Sequence, residues 1–196
     1  GLVAARLGRR YPLRVLVPAG LLLAAAGFGL CTQLGGDAAV GVLAGATVLV
    51  GAGIGLSETI TNDAILAAAP ADRAGSASAV SETAYEIGAV LGTAVLGSVL
   101  SAAYHAAVQV PRSVGPVYAA TARETLGGAV GTAQRLTGGV GEDLLASAQA
   151  AFTAAIGTTA LVGVGVLVLV ALTVFLGLGS VAQQPHHVDD LAGERA

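Results

Sequence analysis

Four long apolar stretches, set apart by short polar breaks, run through the chain. The first extends from about Val15 to Leu34, with Pro18 placed in its first turn, where a missing N–H costs little. A tight turn, Gly35-Gly36-Asp37, follows. The second stretch begins near Val40 and is uncharged to Leu56. It then carries Glu58, Thr59, Thr61, Asn62 and Asp63 before Pro70 ends it. A short polar connection, Pro70 to Gly75, leads to a third stretch from about Ser76 to Tyr104, and the fourth runs from about Phe152 to Leu178. Each is long enough for a helix to cross a hydrocarbon core, which takes roughly 20 residues. The pattern predicts an all-α membrane protein with spans at about 15–34, 40–69, 76–104 and within 149–180.

The segments outside the spans differ in kind. Residues 1–14 form a loop bearing Arg6, Arg9, Arg10 and Arg14. Residues 105–148 hold Pro111, Pro116, several glycines and mixed charges, with weak helical patterns over Val117–Leu126 and Ala129–Leu136. So long a connection is expected to carry structure of its own, and a helical hairpin lying at the membrane surface is the favoured form. Residues 181–196 are polar and read as a disordered tail.

Composition agrees with the pattern. Of the 196 residues 55% are hydrophobic and 11% charged, against about 25% charged in ordinary soluble domains. A net charge of −3 gives no nucleic-acid footprint. The single cysteine, Cys31, permits no internal disulfide and reads as a small apolar helix residue. His186-His187 is too sparse for a metal site, and no nucleophile–base constellation is present, so no enzyme, metal or cofactor is expected. The chain begins at Gly1 in mid-pattern and is read as the C-terminal part of a longer protein.

Arginine placement predicts orientation. Four arginines precede the first span and Arg73 lies between the second and third. These loops are therefore assigned to the cytoplasm, with residues 105–148 outside and the C-terminus cytoplasmic. Arg112, Arg123 and Arg135 in the outer segment count against this assignment, though the rule weakens for longer loops.

The chemistry lies in acids at membrane depth. Every carboxylate within the apolar stretches is on the second or third. At 1.5 Å per residue from the polar turn, Asp63 stands about 10 Å deep, Glu82 about 14 Å, Glu58 about 18 Å and Glu86 about 20 Å. An ionised acid at the centre of an inserted helix costs roughly 2.5–3.5 kcal/mol on translocon scales. Neither stretch holds a basic residue inside it to offset that cost. A proton, a cationic substrate or an arginine from elsewhere must do so. Low dielectric and neighbouring like charge both raise a carboxyl pKa, and a carboxyl so placed can exchange protons near neutral pH. Glu82 and Glu86 are four apart and share a helix face, with Tyr85 beside them able to offer an aromatic face to an organic cation. Ala84, Gly88 and Gly92 form an opposite stripe of small residues suited to close helix packing. The run Gly51-Ala52-Gly53-Ile54-Gly55 reads as a packing or bending element rather than a nucleotide loop.

Gly1-Leu2-Val3-Ala4-Ala5-Arg6-Leu7-Gly8-Arg9-Arg10 resembles the loop motif of the major facilitator superfamily, with Ala5 where that family has Asp. The section from Ile65 through Pro70, Arg73-Ala74-Gly75-Ser76 and Ser81-Glu82-Thr83 to Gly97 resembles the penultimate hairpin of its 14-helix drug–proton antiporter branch. The long segment before the last span resembles the quaternary-ammonium and antiseptic exporters of that branch. The resemblance implies that these are the last four helices of such a transporter, with the second and third lining its central cavity. It implies export of small lipophilic cations in exchange for protons across the plasma membrane. The implied proton and substrate groups are Glu86, Glu82, Glu58, Asp63 and Tyr85. Arg6, Gly8, Arg9 and Arg10 are the implied gating loop. The implied partners are lipid and the preceding helices of the same protein. An exporter of an antibiotic or siderophore, and a non-transporting assembly subunit whose acids hold helices together, are the alternatives.

Overall fold

The computed structural model describes residues 11–33 and 39–181. The gating-loop residues Arg6, Gly8, Arg9 and Arg10, the Gly35-Gly36-Asp37 turn and the 182–196 tail lie outside the described residues. Helices α1 (Leu13–Cys31), α2 (Ala39–Ala68), α3 (Ala74–Ala107), α4 (Pro116–Glu124), α5 (Leu126–Ala133) and α6 (Gly139–Val181) follow in order, with a single 3₁₀ turn, Ala71–Arg73, between α2 and α3. The chain is all-α, and α1, α2, α3 and α6 are each long and apolar enough to cross a membrane.

The packing order differs from the chain order. α1 is the centre, with α2 on one side and α6 on the other. α3 leans on α6, and touches α2 only sparsely. The four spans therefore lie as α2–α1–α6–α3. The most apolar window of α1 is 39% buried inside the chain and that of α3 only 6%. α3 thus offers nearly all its surface to lipid or to further protein.

α1 and α2 approach each other through residues without side-chain bulk. A Cβ on Gly20 would strike Ser57 Oγ and lie 2.7 Å from the Gly53 carbonyl oxygen. A Cβ on Gly27 would stand 2.8 Å from the Ala46 carbonyl oxygen and 2.9 Å from the Val50 nitrogen. Backbones this close give extensive dispersion contact, the main attraction between helices in lipid. Ser57, buried in the seam, donates to the Val17 carbonyl at 3.1 Å. α1 begins at Leu13, earlier than the apolar run suggests, so Pro18 lies past the first turn. It cannot donate to the carbonyl of Arg14, four residues before.

The expected close packing of Gly88 and Gly92 does not occur within this chain. A Cβ on either would meet open space. Both face an apolar groove of about 410 Å³ shared with Phe28 of α1 and Gly163 of α6. The stripe turns toward α6 as its position opposite the acids requires, but Phe28 holds α3 off. A Cβ on Gly163 would already come within 3.0 Å of that ring.

Residues 105–148 form a folded cap. Pro116 opens α4 at a position where its missing N–H is no loss. Thr125 caps α5 by accepting the Gly128 N–H at 3.0 Å. Gly138, at φ +77°, makes the turn into α6 that a side chain would strain. α6 begins ahead of Phe152, where its apolar run starts. Its 43 residues span about 64 Å, roughly twice a hydrocarbon core. The extra turns carry Leu144, Ala148, Ala151 and Ala155 into one core with Tyr104, Val108, Ala122 and Ala129. Tyr104 donates to the Ala122 carbonyl at 2.9 Å, and Ser147 Oγ accepts the Gln109 N–H at 2.9 Å. The cap thereby ties the end of α3 to α6. Leu144 is fully buried at its centre. Leu144→Ala is expected to cost about 2–5 kcal/mol of local stability, and Tyr104→Phe about 1 kcal/mol. Limited proteolysis within residues 110–138 measures both, with faster cleavage in Leu144→Ala.

Candidate functional site

The polar end of α2 and the start of α3 diverge from the Pro70–Arg73 turn and flank an open cleft of about 580 Å³. Pro70 ends α2, and the residue before a proline is biased away from helical geometry. The 3₁₀ turn Ala71–Arg73 then restarts the chain, and Ser76 Oγ donates to the Arg73 carbonyl at 2.8 Å. Thr61 and Ile65 of α2 and Val80, Ser81 and Tyr85 of α3 form the cavity walls. Arg73 lies at the turn end, 3.9 Å from the Asp72 carboxylate, and both are solvent-exposed.

Helix geometry sorts the predicted acids relative to this cavity. Glu58, Thr61 and Ile65 are spaced three and four apart and so share one stripe of α2. Glu58 lies on that stripe about 4.5 Å deeper than Thr61, beyond the residues that line the cleft. On α3, Ala77 and Ala84 face the cavity while Gly88, Leu91 and Val95 face the α1–α6 groove. At about 100° per residue, Glu82 and Glu86 stand about 140° and 180° round the helix from Ala77. Both are exposed, on the side of α3 turned from every other helix of the chain. Tyr85 lines the cleft and is itself 39% exposed. Asp63 is exposed, about 160° from Thr61 on α2 and off the cavity stripe. The structure thus places Tyr85 on the cleft, Glu58 on the same α2 stripe but beyond the cleft's lining, and Glu82 and Glu86 on a separate outward face.

Two side chains of the cleft carry more than the residue pattern suggests. Ser81 is only 7% exposed as a residue, but its hydroxyl oxygen reaches the open cleft, since among the described residues no buried side-chain oxygen or nitrogen lacks a partner. Thr61, half-buried across the cleft, makes no hydrogen bond with another described side chain. The legible signal is spacing: Ser81 and Tyr85 are four apart, as are Thr61 and Ile65. The described residues contain no group of three or more metal-ligating side chains.

No protein-family model matches the chain, and no solved structure does. Curated proteins do. The multidrug efflux pump LfrA of Mycolicibacterium smegmatis is 39% identical over 174 residues, covering 89% of this chain and 34% of that protein. The methyl viologen resistance protein SmvA of Salmonella typhimurium is 32% identical over 152 residues, 78% of this chain and 31% of that protein. The tetracenomycin C resistance and export protein of Streptomyces glaucescens is 37% identical over 101 residues, 52% of this chain and 18% of that protein. The chain spans about a third of the length of the two relatives that match most of it, and is homologous to a segment of drug efflux proteins rather than to enzymes.

Proposed function

We propose that the chain is the C-terminal segment of a major facilitator transporter of the drug–proton antiporter kind, exporting small lipophilic cations in exchange for protons. One observation carries the reading. Apart from Glu142 and Asp143 in the first turns of α6, within the 105–148 cap, the acids of the four long helices are on α2 and α3, the two outermost helices of the row, and their free faces look away from α1 and α6. In a transporter whose remaining helices complete the bundle, such faces are the ones left to line a polar path. A cavity both acidic and apolar suits a lipophilic cation and repels an anion. Methyl viologen, for which one relative is named, is an aromatic dication.

Protons and cations then compete for the same carboxylates. Glu86 is the proposed proton-exchanging member, with Glu82 and Glu58 sharing proton and substrate, Tyr85 stacking on the cation, and Asp63 nearer the membrane edge. The proton is the coupling ion and no cofactor is required. The protein sits in the plasma membrane with the Pro70–Arg73 turn and C-terminus cytoplasmic. The arginine-bearing loop of Arg6, Gly8, Arg9 and Arg10 acts as its gating latch.

The test is uptake of a lipophilic cation into inside-out vesicles carrying the full-length protein. An imposed inward-acid ΔpH is expected to accelerate uptake, and a protonophore to abolish the acceleration. Uptake indifferent to ΔpH removes proton coupling. No uptake of any cation, in protein shown to be folded, favours the assembly-subunit alternative.

A further inference from the structure

α2 and α3 touch only sparsely, and the open cleft of about 580 Å³ between them starts at the turn that joins them. Both helices are long and apolar enough to cross a membrane, so this polar turn stands at a membrane face. We propose that the cleft is a binding site for an anionic phospholipid of the leaflet on the turn side, with the lipid phosphate at Arg73 and an acyl chain along the cleft. Only the membrane placement of α2 and α3 is needed for this, whichever way the protein faces and whatever it carries.

Polarity is graded along the cleft in the order of a phospholipid. Arg73 and Ser76 line the turn end, Ile65 and Val80 the middle, and Ala84 and Tyr85 the deep end. From Arg73 to Tyr85 the helix rises about 18 Å, close to the depth of one leaflet, half of a ~30 Å core. A cationic side chain therefore stands at the level of headgroups, and an apolar channel runs from it through a single leaflet. A water-soluble anion would leave that channel unfilled. Ser76 holds the mouth in shape by donating to the Arg73 carbonyl at 2.8 Å.

Charge selects the headgroup. Arg73 is the one charged residue in the lining, and no acid lines the cleft to repel a phosphate. The neighbouring Asp72 carboxylate stands 3.9 Å from the Arg73 guanidinium, with the two side chains 79% and 76% exposed. A pair so open contributes little. The guanidinium has five N–H donors in a fork that matches a phosphate, so donors remain for one. A basic side chain at a membrane surface favours anionic over uncharged lipid by about fivefold.

The experiment uses full-length protein in phosphatidylcholine vesicles that contain a minor fraction of phosphatidylglycerol, or of phosphatidylcholine, carrying a diazirine in its acyl chain. Cross-linked peptides are mapped after illumination. At equal mole fraction, the phosphatidylglycerol probe is expected to label residues 61–69 and 76–85 about fivefold more than the phosphatidylcholine probe. Arg73→Ala should bring the two probes level there, and Arg73→Lys should keep most of the preference. Asp72→Asn removes the competing carboxylate and should raise it, and this variant decides if Arg73→Ala fails to fold. The groove of Gly88, Leu91 and Val95 has no charged lining and should show no preference between the probes. An unlabelled cleft would mean that other helices of the protein cover it. Equal labelling by the two probes would mean that the headgroup is not read. A preference unmoved by Arg73→Ala, or by Asp72→Asn in its place, would mean that the headgroup is held elsewhere. Each of these results overturns the proposal.

Discussion

Glu86→Gln in the full-length transporter is expected to reduce ΔpH-driven cation uptake roughly a hundredfold or more, the scale on which loss of one proton-transferring side chain commonly acts. The substitution removes the exchangeable proton while keeping size and hydrogen-bonding capacity. Its site makes it a clean probe. Glu86 is exposed, makes no hydrogen bond or ion pair with another described residue, and lies opposite the face by which α3 meets α6. Nothing in this chain's own packing depends on it, so the folded yield should match wild type by size-exclusion chromatography. Facilitated cation movement down its own gradient should persist, because a neutral cavity still admits a lipophilic ion. If Glu86 is instead glue between helices, the same variant loses folded protein, or keeps full ΔpH response. Either result transfers the proton role to Glu82 or Glu58. Glu58→Gln separates these, since Glu58 shares the cleft stripe with Thr61 and Ile65 and its loss should weaken cation binding as well as coupling.

The helices were legible because their signals are strong and local. Apolar runs of membrane length, ended by Pro70 or by glycine and polar turns, hardly admit another structure in lipid, where backbone groups must be satisfied within the segment. In residues 105–148 the weak helical patterns over 117–126 and 129–136 overlap α4 and α5, but the break between the helices falls at Thr125, inside the first pattern. The attachment of this segment was not legible. Ala122, Ala129, Ala148 and Ala155 are small residues whose burial against Tyr104 and Leu144 depends on which helices meet, and alanine is too frequent in this chain to mark it. The site divides in the same way. Glu58 and Tyr85 stand out by type, because acids and hydroxylated aromatics are conspicuous in apolar helices. Equal depth, however, does not mean shared space. Glu58 and Glu86 can be matched by rise along antiparallel helices, yet rotation about the axes puts one on the Thr61–Ile65 stripe of α2 and the other on the far side of α3. Rotation is set by side-chain packing with α1 and α6, which rise per residue does not encode. Likewise several glycine stripes were visible, but contact chooses among them. Gly20, Gly27 and Gly53 meet backbone, whereas Gly88 and Gly92 meet open space.

That distinction makes Gly53 the position where one methyl group should matter most to folding. A Cβ there would strike the Gly20 carbonyl oxygen, lie 2.5 Å from the Ala24 nitrogen and 3.0 Å from its Cα. All three are backbone atoms of α1, so no rotamer change relieves the clash and the helices must part. Overpacking typically costs about 1–3 kcal/mol, and Gly53→Ala is expected at the upper end, because separation also loosens the contacts of Gly20 and stretches the Ser57–Val17 hydrogen bond. Gly51 and Gly55 lie on the same helix, two residues to either side, with open space around each. There alanine should be neutral or stabilising by up to about 1 kcal/mol, the ordinary helix preference over glycine. Thermal unfolding of the three variants in one detergent separates a specific seam from a general need for flexible glycine. A common drop in all three would mean that bending, not close approach, is what the run supplies. The same seam sets the rotation of α2. Ser57 faces α1 and its neighbour Glu58 faces away, so a helix pushed off its seat should turn the Glu58 stripe. Gly53→Ala protein that survives at low temperature should therefore bind lipophilic cations more weakly than wild type, whereas Gly51→Ala and Gly55→Ala should not.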